Sequence, residues 1–176
     1  MAHLTPLLAF RWSPRSFDPS AELTPDEAAS LLEAARWAPS AGNGQPWRFA
    51  IGHRHDETWK RILISLPSSD QGWVRHAATL VVGAHTGGDA ERTAYDLGQA
   101  IAHLTVQATA LGLYVHQLSR FDRAGLAIEL DLPGGIRPLV VAAVGRLGDP
   151  FDLPADLRTR ETDLRHRRPV ADLLLH

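Results

Sequence analysis

The sequence predicts a mixed domain of helices and strands, and three observations support that expectation. A capped amphipathic helix begins at Thr24, a much longer helical pattern runs from Ala90 to Leu111, and two apolar runs, 77–84 and 136–145, read as strands. Apolar residues three and four apart mark the helices, whereas short unbroken apolar runs bounded by glycine or proline mark buried strands.

Composition narrows the class. The 176 residues are 44% hydrophobic and 22% charged, enough for one domain with a sizeable core. A net charge of −2 argues against a dedicated nucleic-acid binder. With no cysteine, disulfides, thiolate catalysis and Cys-ligated metals are excluded. The first residues lack the succession of a secretory leader, and the longest apolar run, Leu139 to Val144, is too short to span a bilayer. The expectation is a soluble, cytoplasmic protein without a membrane partner. All basic residues but Lys60 are arginine, to which we attach no function.

Along the chain, Leu4, Leu7, Leu8 and Phe10 suggest a short helix that Pro14 ends. In the following Arg11-Trp12-Ser13-Pro14-Arg15, an extended backbone places Arg11, Ser13 and Arg15 on one side. Two guanidinium groups and a hydroxyl suit a phosphate, although the same residues fit a solvated basic turn. Thr24, Pro25 and Glu27 form a helix start with a capping box, and Ala28, Leu31, Leu32 and Ala35 form its buried face. Pro39 stops that helix. Ser40-Ala41-Gly42-Asn43-Gly44-Gln45 is a loop of small residues whose backbone can approach a ligand closely. Trp47 to Ile51 reads as a strand, and His53 and His55 as part of a polar turn, not a metal site.

Residues 57–66 read as a helix, 68–72 as a loop, and 77–84 as a buried strand running into His85-Thr86-Gly87-Gly88. Neither G-x-G-x-x-G nor G-x-x-x-x-G-K-[ST] occurs, so dinucleotide and P-loop folds are rejected. In the long helix, Leu97, Ile101, Leu104 and Ala108 repeat at the spacing of a helix–helix seam, and Gly112 reads as a left-handed cap. Small residues at 98, 100, 102 and 110 make a second side apolar, so the helix is central or lies at an oligomer interface. His103 reads as a hydrogen-bonded core or interface histidine. A strand at 113–116, a helix at 123–132, a turn at 133–135 and the strand to Gly145 complete the body. Beyond Pro150 an arginine-rich tail has no core of its own and should wrap this subunit or another.

Several of these segments together resemble the FMN-dependent nitroreductase family. They are Arg-x-Ser-x-Arg-x-Phe at 11–17, the stretch Ala38 to Phe49, Ala110-Leu111-Gly112-Leu113, and Arg165-His166-Arg167-Arg168-Pro169. The likeness covers nearly the whole chain in order. It implies an α+β fold with a central antiparallel sheet flanked by helices, in an intertwined homodimer with FMN at the subunit interface. Residues 1–176 would form one such domain, with 150–176 an arm crossing to the partner.

By this resemblance Arg11, Arg165 and Arg167 match the phosphate clamp, Ser13 adds a hydroxyl, and Trp12 flanks them. Arg15 matches the cation beside the N1/O2 edge of the flavin, where fixed charge favours the reduced ring. Pro39, Ser40, Asn43 and Gln45 match a flavin-contacting loop that commonly comes from the partner. Two departures stand out. Gln117-Leu118-Ser119-Arg120 replaces the usual Pro-x-Glu-Gly turn, leaving Ser119 and Arg120 to serve the N5 region through backbone. Asp70-Gln71-Gly72-Trp73 replaces an asparagine–lysine segment, leaving Gln71 for the pyrimidine edge and Trp73 to stack near the ring.

The implied activity is oxidoreduction. NADH or NADPH passes hydride to flavin N5, and a small oxidised acceptor, a nitroaromatic or quinone by family analogy, then takes it. No side chain need act as acid or base, and no metal is implied. The short connection between 84 and 90 offers little sequence for a lid, so an open, tolerant site is expected. An FMN store or redox sensor without efficient turnover is the alternative, suggested by the altered turn at 117–120. A third possibility is that the arginines hold a different anion and no flavin.

Overall fold

A computed structural model describes residues 3–175; residues 1, 2 and 176, at the ends of the expected 1–176 domain, lie outside the described residues. Four antiparallel strands form the sheet: β1 (Trp47–His53), β2 (Thr79–His85), β3 (Tyr114–Leu118) and β4 (Arg137–Gly145), in the order β1-β2-β4-β3. This is the expected α+β arrangement. Helices α1 (Pro6–Ala9), α2 (Pro25–Arg36), α3 (Glu57–Ile64), α4 (Ser68–Val74), α5 (Ala90–Ala110), α6 (Arg123–Glu129) and α7 (Ala155–Thr162) surround it.

Strand alternation divides the core. Val81 of β2 and Ala142 and Val144 of β4 face the layer built by α2 and α5, while Leu80, Val82, Val141 and Ala143 face α3, α4 and α6. A period of two sends successive side chains to opposite faces, so strands buried on both sides read as unbroken apolar runs. Every residue of β2 is buried. α5 lies close over the sheet because Gly83 leaves room; a Cβ there would stand 2.8 Å from Val140 Cγ1 and 3.1 Å from Ile101 Cδ1.

Local signals explain the helix ends. Thr24 accepts from the Glu27 amide while the Glu27 carboxylate accepts from the Thr24 amide, the reciprocal cap expected. Gly112 follows α5 at φ +69°, which an L side chain adopts only with strain. One segment departs from expectation: 68–72 is not a loop but most of α4. Its polar, glycine-containing start conceals the anchoring of the helix by buried Trp73 and Val74. A helical glycine costs about 1 kcal/mol, and burying either large side chain outweighs it.

The two faces of α5 differ. Leu97, Ile101, Leu104 and Ala108 are buried in this chain, whereas Tyr95, Gly98, Ala102 and His103 are exposed. His103 is therefore not a core histidine. Near the chain ends Leu4, Leu7, Leu8, Phe10, Leu164, Val170, Leu173 and Leu174 are also exposed.

Candidate functional site

The two ends of the chain meet beside edge strand β3. Residues 11–17 run past it: His116 Nδ1 lies 3.1 Å from the Ser13 carbonyl and 2.9 Å from that of Pro14. Trp12 meets Tyr114 edge-on, and Phe17 bridges to Leu147. From the other end, α7 presents Glu161, whose carboxylate accepts from the amides of Arg15 and Ser16. Three residues beyond α7, Arg165 donates to the carbonyls of Ala9 and Arg11.

This stitching gathers cations. Burial depresses the Arg11 pKa, and the nearby charges of Arg165 and Arg167 depress it further. None of the three makes an ion pair among the described residues. Three guanidinium groups without an acidic counter-ion suit a dianionic phosphate, which supplies strong acceptors and the missing charge. Arg11 Nη1 also reaches Ser13 Oγ at 3.4 Å, placing the predicted hydroxyl in the same group. Arg167 is exposed and, among the described residues, donates from Nη1 to its neighbour's carbonyl, which leaves its other N–H groups for a ligand.

Next to this cluster, Arg15 and the altered turn share a cleft of about 120 Å³, lined also by Asp70 and His116. Ser119 and Arg120 are exposed there. The Arg15 guanidinium lies 5.8 Å from the Trp73 ring centroid, and Trp73 packs against His116 at 4.6 Å. Trp73 is thus a buried support beneath Arg15, 2% exposed, and not a ring free to stack on a ligand. Gln71 turns its amide back onto the Leu66 carbonyl at 2.8 Å, so in this arrangement its donor is taken. The His116 pKa is depressed, first by burial and then by the Arg15 charge. With its Nδ1 against two carbonyls, the ring carries its proton there.

The remaining predicted residues lie elsewhere. Pro39, Ser40, Asn43 and Gln45 precede β1, the opposite outer strand, and three strand spacings of about 4.8 Å separate β1 from β3. The loop is tightly built: Gly42, Asn43 and Gln45 have φ of +58°, +56° and +45°, and Ser40 Oγ accepts from the Gln45 amide. Buried Asp96 of α5 accepts from the Ala41 amide at 3.2 Å. Left-handed backbone at two non-glycine residues is costly and marks functional loops. One chain therefore brings together Arg11, Trp12, Ser13, Arg15, Ser119, Arg120, Arg165 and Arg167, but not the 39–45 loop. A cavity of about 580 Å³ between α5 and α6 is lined by none of the predicted residues.

Glu161 and His116 escaped the sequence reading. Glu161 stands in a charged tail, where nothing local separates a buried carboxylate from solvated ones. His116 sits in the middle of β3, where the sequence offers no partner pattern to mark it.

An α+β sheet core carrying a cluster of arginines at its edge has the makings of an anion-binding, cofactor-holding protein. The comparisons agree: residues 8–146 match the family described as the Nitroreductase family. The chain is 35% identical over 136 residues to an uncharacterized 15.4 kDa protein of Mycolicibacterium smegmatis, covering 70% of this chain and 90% of that one. Among solved structures, one described as an oxidoreductase containing FMN is 33% identical with a TM-score of 0.90, covering 99% of this chain and 91% of that one. A nitroreductase family protein from Streptococcus pneumoniae shares the fold at 17% identity and a TM-score of 0.80, covering 97% of this chain and 98% of that one. A shorter likeness, 42% over 41 residues, links 23% of the chain to 19% of the oxygen-insensitive NAD(P)H nitroreductase of Salmonella typhimurium. The chain belongs to the nitroreductase family.

Proposed function

We propose that the protein is an FMN-dependent oxidoreductase that takes electrons from NADH or NADPH and reduces nitroaromatic, quinone or similar small acceptors. The observation behind this reading is the convergence of Arg11, Arg165 and Arg167 without an acidic counter-ion among the described residues. Bound FMN supplies the hydride chemistry at its N5. The chain's own residues do the rest. Arg11, Arg165, Arg167 and Ser13 hold the phosphate, and Arg15 sets a fixed positive charge at the pyrimidine edge. Backbone at Ser119 and Arg120 closes the cleft beside it.

A cleft of about 120 Å³ takes only an edge of a tricyclic ring; ligand pockets of about 300–1,000 Å³ are usual. The reading therefore includes a homodimer in which the partner's 39–45 loop completes the slot. Two features favour it: the exposed small-residue face of α5, and the exposed apolar side chains near both ends. α7 is anchored to its own body by buried Leu153 and Glu161, and residues from Asp163 to Leu175 are all exposed. We take residues 1–176 as one domain whose arm, once Arg165 and Arg167 have joined this chain's own corner, crosses to the partner. Among the described residues no helix is long and apolar enough to cross a membrane.

The test is an anaerobic absorbance titration of the purified protein. The expected result is a flavin spectrum that bleaches on adding NADH or NADPH and recovers on adding a quinone. A flavin spectrum that neither nucleotide bleaches would favour the storage or sensor alternative, and a protein that stays colourless after FMN supplementation would end the flavin reading.

A further inference from the structure

We infer that Glu161 is a positioning residue for Arg15, coupling the C-terminal arm to the pyrimidine edge of the proposed flavin site; this rests on the FMN reading above. Glu161 is 8% exposed. Its Oε1 accepts from Arg15 N at 2.8 Å and Ser16 N at 2.9 Å, and its Oε2 lies 3.0 Å from Arg15 N. A buried carboxylate is held only where hydrogen bonds replace its water, and bonds to charged acceptors are the strong ones. Two consecutive amides captured by one carboxylate fix the backbone from which the Arg15 side chain leaves. Trp73 then supports the guanidinium from beneath.

The arm thus grips the N-terminal segment at two points. Glu161 takes the amides of residues 15 and 16, and Arg165 the carbonyls of residues 9 and 11. The second point serves the phosphate cluster. The first serves the ring end, where Arg15, and not Glu161, would meet the cofactor.

Glu161→Gln tests this because it keeps shape but sets an amide –NH₂ where Oε2 faces the Arg15 N–H. Two effects then oppose each other in the two-electron potential of the FMN-loaded protein. Removing a nearby negative charge raises the potential; displacing the Arg15 cation lowers it. The expected result is a lower potential for Glu161→Gln in the wild-type background and no lowering in an Arg15→Gln background. A rise, or the same shift in both backgrounds, would overturn the inference. Should Arg15→Gln release the flavin, affinities of Glu161→Gln for FMN and for riboflavin, which lacks the phosphate, decide instead. Both should fall together, by about tenfold for the loss of a charge-assisted contact. A fall confined to FMN would assign Glu161 to the phosphate end and overturn the positioning of Arg15. Should Glu161→Gln fail to fold, Glu161→Asp, which keeps the charge one methylene short, takes its place; it too should lower the potential only when Arg15 is present, and an unchanged potential would overturn the inference. A wild-type protein that binds no FMN overturns the functional reading as well, whereas a Glu161→Gln protein whose potential and flavin affinities both match the wild type overturns only this inference.

Discussion

The basic corner beside β3 and the glycine loop before β1 differ in how complete they are within one chain. The corner joins residues more than 150 positions apart, Arg165 with Ala9 and Arg11, through contacts inside a single subunit. The loop is equally ordered, with three positive-φ residues and an anchor on Asp96, yet it lies at the far side of the sheet from the corner's arginines. Order without a ligand-facing counterpart is costly backbone geometry awaiting something from outside. On the proposed reading, electrostatics assembles the phosphate end from two chain ends, whereas the flat ring takes its second wall from the partner's loop.

The largest expected effects lie in the corner. Arg11→Ala or Arg167→Ala should each weaken FMN binding by about 10–100-fold, since a hydrogen bond to a charged group contributes about 1.5–3 kcal/mol. Arg168→Ala should change it less than about threefold, as an exposed charge outside the cluster contributes little. Equal losses at positions 167 and 168, by equilibrium dialysis, would dissolve the cluster assignment.

Next comes the loop, tested through the exposed face of α5. A Cβ at Gly98 meets nothing within 4 Å in the chain, so Gly98→Arg should leave the fold intact. On the proposed interface the same arginine should yield monomers by sedimentation and lower FMN affinity by at least about tenfold, the order expected when one contributing wall is lost. A monomer that binds FMN normally would show the loop to be dispensable.

Acidity separates the regions more gently. His116 is held below its ordinary pKa in the folded corner, so the unfolded chain binds its proton more readily. Its contribution to stability is therefore full above about pH 6.5 and is lost as pH falls from there toward the folded pKa. Replacing it, His116→Gln, should flatten the fall in melting temperature between pH 7 and 5. An unchanged slope would place the titration elsewhere. The smallest effect belongs to a site in neither region: Thr24→Ala should cost about 1 kcal/mol of stability and leave FMN affinity unchanged.

Much of this was legible before the structure. The capping box at Thr24, the glycine ending α5 and the run at 139–144 each combine a local signal with a single physical reading, and each element formed where those signals lie. The arginines stand in two motifs at opposite chain ends, which only the family resemblance joined into one clamp. In the fold Arg165 joins them through the Ala9 and Arg11 carbonyls. Glu161, which holds the adjoining backbone, looks like any solvated acid in an arginine-rich tail. α4 was hidden by its own glycine and serines, because the decisive fact, the burial of Trp73 beneath Arg15, is tertiary. Trp73 and Gln71 drew attention by position in the sequence, yet packing turns both away from a ligand.

The central claim is that guanidinium groups from the two chain ends share one phosphate. The most direct measurement compares FMN with riboflavin binding to the wild-type protein and to Arg167→Ala, by quenching of flavin fluorescence. Wild-type protein should prefer FMN by at least about tenfold, and Arg167→Ala should remove most of that preference while leaving riboflavin affinity unchanged. Equal wild-type affinity for the two flavins would contradict the claim.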